Sequence, residues 1–408
     1  MARQVKVITA AEAAALIKNG DTVTTSGFVA SAIPEALDRA VEERFLATGE
    51  PRDITYVYCG SQGNKDGRGA EHFAHEGLLK RYIAGHWATV PALQKMALEN
   101  KMEAYNVSQG ALCHLFRDIA AHRPGCFTKV GLGTFIDPRN GGGKVNDVTK
   151  EDIIELVNIK GQDYLFYPAF PINVALIRGT YADESGNISF EKEVSPLEGT
   201  SVCQAVKNSG GIVVVQVEKL VKAGTLDPRL VKVPGIYVDY VVVADPKDHQ
   251  QTLDCDYDPA LSGEMRNPDV APEPLPLSAK KIIGRRGAVE LEKDVAVNLG
   301  VGAPEYVASV ANEEGIGDFM TLLVVYPQAA SDSVLLTTQT HCWIRAISST
   351  SMMAAVWICA IWVWLNVTLT APSTFPDLAP ELPAVVVSST LHSAHLRYSS
   401  AVHLQQAV

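Results

Sequence analysis

Two glycine-containing loops, each followed by Pro-Glu, are the segments of this sequence most suited to chemistry. The first is GFVASAI before Pro34 and Glu35, and the second is GVGA before Pro304 and Glu305. Because proline and glutamate suit the first turn of a helix, each loop predicts backbone N–H groups at a helix N-terminus. Such a position can hold an anion or stabilise an oxyanion that forms during acyl transfer.

Three other patterns indicate chemistry only weakly. His72 and His75 could share one helical face, but no third zinc ligand is evident, so a solvated or capping role is favoured. RNGGGK at 139–144 lacks the spacing of a phosphate-binding Walker A loop. The seven cysteines include no CxxC pair, so the sequence predicts neither a disulfide framework nor a thiolate zinc site, and no metal is expected.

The elements that must position these loops are those of an α/β protein. Short apolar runs rich in β-branched residues at 54–58, 211–217 and 236–244 are typical of parallel strands buried on both faces. Helical patterns at 11–18 and 34–44 precede or separate them.

The beginning of the chain is repeated further along. Residues 8–35 and 282–305 both predict a helix, a strand, a glycine loop and a Pro-Glu helix start. We interpret the repeat as an internal duplication of two related α/β halves. The alternative is a chance match between two common strand–loop–helix units. Between them, six prolines within 246–279 predict a linker or an arm that wraps over the surface.

Composition excludes some classes of function. The chain has 408 residues, 47% of them hydrophobic and 20% charged, which is ordinary for a folded globular protein. Its net charge of −11 argues against nucleic-acid binding, because neutralising phosphates requires an excess of Lys and Arg. The N-terminus has no uninterrupted apolar segment of the kind found in secretory signals, so a cytoplasmic location is expected.

The composition changes abruptly near residue 322. All 31 glycines lie at or before Gly317, and residues 322–408 contain no lysine and few charges. We interpret residues 323–408 as an apolar tail unrelated to the rest, poorly ordered, and produced by out-of-frame or mispredicted sequence. Two alternatives stay open. One is a membrane anchor, since residues 346–376 carry no charge and are long enough to cross a bilayer, and the other is a genuine additional domain.

The order of segments resembles family I CoA-transferases, specifically the single-chain propionate or acetate CoA-transferases. The resemblance runs nearly unbroken from residue 1 to about 322. It is carried by SGFVASAIPEAL (26–37), YCGSQGNKDGRGAEHFAHEGLLKR (58–81), GHWATVPAL (85–93), AYNVSQGAL (104–112), FIDPRNGGGKVNDVTKED (135–152), RGTYADESGNI (178–188), DHQQTLDCDYDPALSGE (248–264) and the segment from KKIIGRRGAVEL to GDFMTL (280–322).

The resemblance implies a fold, an activity and site residues. It implies two homologous open α/β halves that move CoA between a short-chain acyl-CoA and a short-chain carboxylate through a glutamyl-CoA intermediate, often as homo-oligomers. Coenzyme A is then a substrate, and no bound cofactor is expected. Gln109 matches the oxyanion-hole glutamine, and Gly300, Gly302 and Pro304 match a Gly-x-Gly-x-Pro loop beside the active site. The residues alone would predict a helix-start glutamine and a tight turn there.

The family's nucleophilic glutamate is missing from this chain. A Glu-(Ser/Asn)-Gly signature should follow MTL at 320–322, but no glutamate occurs there before Glu381. The ESG triplet at 184–186 matches a loop of the first half, so Glu184 is predicted to be a turn residue. We therefore expect a first half at 1–245, a linker at 246–279, a truncated second half at 280–322 and an inactive chain. The alternatives are a non-catalytic acyl-CoA-binding or subunit-like protein, or a membrane-anchored variant.

Overall fold

The structure is a computed structural model that describes residues 4–265, 274–291, 296–299, 305–316, 320–321 and 358–361. It divides into two compact units, the first ending at Glu264 and the second beginning at Met265. The helices of the first unit are α1 (Ala10–Ala14), α2 (Glu35–Thr48), α3 (Pro91–Leu98), α4 (Gln109–Ala120), α5 (Gly199–Asn208) and α6 (Pro259–Ser262).

The strands of the first unit are interspersed with these helices, as expected of an α/β protein. They are β1 (Lys6–Val7), β2 (Thr22–Thr25), β3 (Ile54–Tyr58), β4 (Leu79–Ala84), β5 (Glu103–Asn106), β6 (Gly125–Thr128), β7 (Glu155–Ile159), β8 (Gln162–Pro168), β9 (Val174–Arg178), β10 (Tyr181–Asp183), β11 (Ile188–Ser189), β12 (Ile212–Val217), β13 (Lys219–Val221), β14 (Val231–Val233) and β15 (Tyr240–Val243).

Eight of the described strands form a parallel sheet in the order β1-β15-β12-β9-β2-β3-β4-β5. Val214 of β12 lies opposite Leu176 of β9 on one side and Tyr240 of β15 on the other. All five residues of β9 are buried, because helices cover both faces of a parallel sheet. The predicted parallel strands are thereby confirmed.

Two predicted elements are shorter than expected. Helix α1 ends at Ala14 because Leu16 and Ile17 donate to carbonyls three residues earlier, which turns the chain. The strand predicted at 236–244 begins at Tyr240. The residues before it form a 3₁₀ turn after Pro234, in which the Val238 N–H bonds the Gly235 carbonyl. Proline fixes the backbone angle at the start of that turn.

Smaller sheets lie outside the parallel sheet. Strands β13, β10, β11 and β14 form one of them, and β6, β8 and β7 form an antiparallel sheet in which Leu165 lies opposite both Thr128 and Leu156. Buried aromatic rings fill the core beside β3 and β4. The rings of Tyr56 and Tyr82 stack at 5.0 Å, and Trp87 meets Tyr82 edge-on at 4.7 Å.

The second unit repeats the start of the first. Its described elements are α7 (Ala279–Ala288), β16 (Ala296–Leu299), α8 (Glu305–Glu313), β17 (Met320–Thr321) and β18 (Ile358–Ile361). The order α7, β16, α8 matches α1, β2, α2, and both α2 and α8 begin at the glutamate of a Pro-Glu pair. This common order is the one that the proposed duplication predicts.

Helices α7 and α8 pack closely. A Cβ on Gly284 would lie 2.6 Å from the Tyr306 carbonyl oxygen, so glycine permits this approach. The Lys281 ammonium, on α7, lies 2.7 Å from the carboxylate of Glu313, on α8.

The apolar tail falls mostly outside the described residues. Four of its residues, Ile358–Ile361, form β18, which pairs in parallel with β16 so that Ala296 lies opposite Ile358. The interpretation of residues 323–408 as unrelated to the rest stays a prediction, because the structure describes only these four of them. ICAI is short and apolar, which suits it to pair with another apolar strand. No helix among the described residues is long and apolar enough to span a bilayer.

The segment predicted as a linker or arm divides between the units. Its first part, up to Glu264, belongs to the first unit. The Asp248 carboxylate is buried and accepts from both terminal nitrogens of Arg39, on α2. The Leu253 N–H donates to the Ala30 carbonyl at 2.8 Å. Residues 246–264 therefore act as an arm that packs on the first unit.

Candidate functional site

The residues of the candidate site follow the carboxyl ends of β3, β4 and β5, the edge at which parallel sheets bind ligands. Cys59 follows β3, Gly85 follows β4, and Ser108 and Gln109 follow β5 at the start of α4. A Cβ on Gly85 would lie 2.6 Å from both the Gln109 Cα and the Cys59 carbonyl oxygen. Glycine at position 85 therefore allows these three loops to meet.

Gln109 lies where the sequence places it, in the first turn of a helix. Ser108 caps that helix, because its hydroxyl oxygen accepts from the Ala111 N–H at 3.4 Å. Both side chains are buried, and Gln109 is 6% exposed. An amide donor beside the positive end of a helix dipole has the chemistry of an oxyanion donor.

The other residues predicted for the site lie outside the described residues. Gly300, Gly302 and Pro304 belong to residues 300–304, which follow β16 and precede α8. The segment after residue 321, where the family's nucleophile is expected, is also outside, apart from β18. Their placement relative to Gln109 therefore stays a prediction.

Hydrogen bonds to the loop after β3 hold the first glycine loop in place. Val29 has a φ of 54°, an unfavourable backbone angle for a β-branched residue, yet it is buried. Its N–H donates to the Ser61 carbonyl at 2.8 Å, and its carbonyl accepts from the Gly63 N–H at 2.6 Å. Those bonds to the loop after β3 hold the strained backbone in place.

The anion site expected at this first loop does not form. The Ala36 and Leu37 N–H groups at the start of α2 already donate to the side-chain oxygen of Gln216, at 2.9 and 3.4 Å. Gln216 lies on β12, 180 residues from Ala36 in the sequence. A side-chain cap from so distant a residue satisfies the N–H groups that an anion would need, so our prediction for this loop is wrong.

A buried cluster beside Gln109 was missed by the sequence analysis. The Cys113 sulfur, one helical turn after Gln109, lies 2.9 Å from a carboxylate oxygen of Glu198. The Tyr58 hydroxyl donates to the other carboxylate oxygen at 3.1 Å. Because its members come from β3, α4 and the residue before α5, no local spacing in the sequence could have revealed it.

His72 does not have the solvated or capping role that we favoured. It is 6% exposed, and its two ring nitrogens lie 2.9 Å from Glu35 and 2.5 Å from Glu42. Burial alone would lower the His72 pKa, but hydrogen bonds to these two carboxylates outweigh it and raise the pKa to about 9. His75 also bonds Glu42, at 2.6 Å. Glu42 and Glu35 lie 30 and 37 positions before His72 on α2, so the local spacing of the histidines could not reveal them.

Glu184 lies in a turn, as predicted. The chain turns between β10 and β11, with Gly186 at a φ of 86°. The Glu184 N–H donates to the Val221 carbonyl at 3.1 Å, and its carboxylate accepts from the Ala223 N–H.

A cavity of about 660 Å³ opens beside the carboxyl ends of β9 and β12. Its lining includes Arg178, Lys192 and His249. Arg178 pairs with Glu193 at 3.0 Å and Lys192 with Glu218 at 2.9 Å, so both cations already have anionic partners. Burial, together with the charge of Arg178, lowers the His249 pKa to about 2, so this imidazole is neutral.

The α/β fold agrees with comparisons to known proteins. Residues 7–244 match the family model described as Coenzyme A transferase. The chain belongs to this family. It is 46% identical over 318 residues to a caffeate CoA-transferase of Acetobacterium woodii, covering 78% of this chain and 61% of that protein. It is 39% identical to acetate CoA-transferase YdiF of Escherichia coli K12, covering 79% and 60%.

A solved structure shows the same architecture. The crystal structure of acyl-CoA transferase YdiF apoenzyme from Escherichia coli O157:H7 matches with a TM-score of 0.74 and 38% identity, covering 78% of this chain and 61% of that one. A thioester complex of the same enzyme with CoA matches with a TM-score of 0.73. This family member spans about three fifths of the length of the relatives named above. The resemblance inferred from its motifs is confirmed.

Proposed function

We propose that the chain derives from an enzyme that moves CoA between a short-chain acyl-CoA, such as acetyl-CoA or propionyl-CoA, and a short-chain carboxylate. The observation that carries the proposal is the placement of Gln109, buried at the start of α4, with Gly85 packed against it. A glutamine amide at this edge can donate to the oxyanion formed when a carboxylate attacks a thioester. Coenzyme A is a substrate in this reaction, so no resident cofactor is needed.

The name of one relative favours a different acid as the substrate. The relative with 46% identity is named for caffeate, an aromatic acid, and the one with 39% identity is named for acetate. Acid preference is therefore tested with a chain whose missing nucleophilic glutamate has been restored, by offering acetyl-CoA with propionate and with caffeate in separate assays. Faster transfer to propionate supports the short-chain proposal, and faster transfer to caffeate contradicts it.

We further propose that this chain, as its sequence stands, is inactive. Transfer through a glutamyl-CoA intermediate requires a glutamate that attacks the thioester. The sequence from 322 to 380, where the family's nucleophile is expected, contains no glutamate. Oxyanion donors such as Gln109 cannot replace it, because they stabilise a transition state that forms only after attack. Turnover of acetyl-CoA and propionate well above background by the purified chain would overturn this.

The gene itself tests why the nucleophile is missing. We expect another reading frame after the codon for Leu322 to encode Glu-Ser-Gly or Glu-Asn-Gly followed by glycine-rich sequence. A chain repaired into that frame should form a glutamyl-CoA thioester that hydroxylamine traps, and replacing that glutamate with alanine should abolish it. If no frame encodes the signature, the frameshift explanation fails, and residues 323–408 are native sequence.

The repaired chain also tests Gln109. Gln109→Ala should lower turnover by about 10²- to 10³-fold, the usual effect of losing one oxyanion donor. Gln162→Ala is the matched control, because Gln162 lies on β8, where its side-chain oxygen accepts from Lys129 at 2.7 Å. Equal turnover by both variants would exclude Gln109 from the reaction.

The alternatives lead to different results. A non-catalytic acyl-CoA-binding or subunit-like protein would bind acyl-CoA without turnover and gain activity when an intact partner chain is added. A membrane-anchored variant would sediment with vesicles.

The proposed enzyme is cytoplasmic and binds neither nucleic acid nor membranes. It also assembles into homo-oligomers, and light scattering of the repaired chain tests that assembly.

A further inference from the structure

Three buried side chains with metal-binding atoms converge beside the start of α4. Cys59 follows β3, Cys113 lies on α4, and Glu198 immediately precedes α5. One sulfur or carboxylate oxygen from each lies within 4.8 Å of the other two. The residues are 0%, 7% and 4% exposed, so the cluster is enclosed by protein.

The charge of Glu198 makes this arrangement unusual. A buried carboxylate is costly unless a cation or several hydrogen bonds compensate its charge. Within the part of the chain that the structure describes, no ion pair involves Glu198. The recorded donors to its carboxylate are the Tyr58 hydroxyl and the Cys113 thiol. A divalent cation at this position would give the carboxylate a directly coordinated cationic partner, while the release of both thiol protons leaves the net charge of the cluster unchanged.

The ligand types and spacing suit one metal in particular. Thiolates and carboxylates are both ligands of tetrahedral Zn²⁺, with Zn–S bonds of about 2.3 Å and Zn–O bonds of about 2.1 Å. Such bonds place two sulfurs about 3.8 Å apart and a sulfur and an oxygen about 3.5 Å apart. The Cys113 sulfur and one Glu198 oxygen are 2.9 Å apart, and no two of the three ligand atoms are more than 4.8 Å apart. These separations lie on both sides of the values for bound zinc. Side-chain shifts of about 1 Å would complete the geometry.

We propose that Cys59, Cys113 and Glu198 form a binding site for one Zn²⁺ ion. Both thiols lose a proton on binding, since the thiolate is the ligand, and a fourth ligand completes the tetrahedron. The ion links β3, α4 and the start of α5. Because Cys113 lies one turn after Gln109, the ion would bind next to the beginning of α4.

The test uses the untagged full chain, kept reduced, freed of metal with a chelator and then titrated with ZnCl₂. We expect one equivalent to be bound and retained through gel filtration, as measured by elemental analysis. Cys113→Ser and Glu198→Gln should each weaken binding by at least about tenfold. The matched control is Cys203→Ser, which changes another buried cysteine, on α5 and not part of the cluster. This control variant should bind Zn²⁺ as the unchanged chain does.

A second measurement does not depend on any variant folding. Co²⁺ added to the metal-free chain should produce an intense thiolate-to-cobalt charge-transfer band in the near ultraviolet and release protons from the two thiols. Absence of this band, or Zn²⁺ binding that is equal in the unchanged chain and a folded Cys113→Ser variant, would overturn the proposal. In that case, Cys113 and Tyr58 serve Glu198 as hydrogen-bond donors and nothing more.

Discussion

At the scale of single residues, the histidine held between two carboxylates should make the stability of the fold depend on pH. The His72 pKa rises from its ordinary value of 6.5 to about 9 because Glu35 and Glu42 outweigh the effect of burial. The folded state thus holds its proton more tightly than the unfolded state does. The resulting stabilisation is fully present below pH 6.5 and is lost as the pH rises through about 9.

We therefore predict that the free energy of unfolding falls between pH 6.5 and 9 by at most about 3 kcal/mol. In His72→Asn this fall should disappear, because the titrating group is gone. His122→Asn changes an exposed histidine that follows α4 and should keep the fall. Urea unfolding at a series of pH values measures the effect, and identical pH profiles for both variants would contradict this assignment.

Gly85 gives a second prediction at this scale. Alanine at position 85 would place its Cβ 2.6 Å from Gln109 and from the Cys59 carbonyl oxygen, so the loop or the start of α4 must shift. Overpacking of this kind costs about 1–3 kcal/mol. Thermal unfolding should show the loss in Gly85→Ala. It should be small in Gly199→Ala, where the nearest atom, on Phe190, is at an ordinary 3.5 Å. Similar melting temperatures for both variants would argue against the close contact.

At the scale of elements, the sequence predicts those strands and helix starts that depend on local residue patterns. Strand β3 is found at its predicted bounds because five β-branched or aromatic residues lie between turn signals. The start of α2 follows from Pro-Glu in the same way. The cap on α2 from Gln216 and the contact between Cys113 and Glu198 could not be predicted, because each joins residues more than 80 positions apart. Gln109 was identified as a site residue from the family's motifs, because residues that contact one another across the fold recur together in such motifs.

Gln216 joins three elements and allows an element-scale prediction. Its oxygen caps α2, and its amide nitrogen donates to the Asp248 carbonyl at 2.8 Å. Gln216→Leu keeps the size but leaves buried N–H and C=O groups without partners, which costs about 1–3 kcal/mol for each group. We expect the midpoint of urea unfolding to fall clearly in Gln216→Leu. Gln162→Leu, on strand β8, should be nearly neutral. Equal midpoints would show that the cap contributes no stability.

At the scale of the whole molecule, the arm sets the boundary of the first unit. Arg39, on α2, bonds the Asp248 carboxylate, and Arg68, in the loop after β3, donates to the Leu253 carbonyl. Limited proteolysis should therefore leave a fragment that ends near residue 264 and not near 245. In Arg39→Met the fragment should shorten toward 245, whereas Lys65→Met, which changes a residue outside these contacts, should leave it unchanged. Mass spectrometry of the fragments distinguishes these outcomes.

Because β1 pairs with β15, the sheet can be completed only late in the synthesis of the chain. Lys6 emerges early, but its neighbour Tyr240 is made more than 230 residues later. Until then β12, which is apolar and flanked by β15 in the finished sheet, has an open edge. An open apolar edge invites pairing with another chain, and contacts so distant in sequence form slowly. Synthesis that stops before residue 240 therefore releases a chain prone to aggregate, although most of its strands are complete.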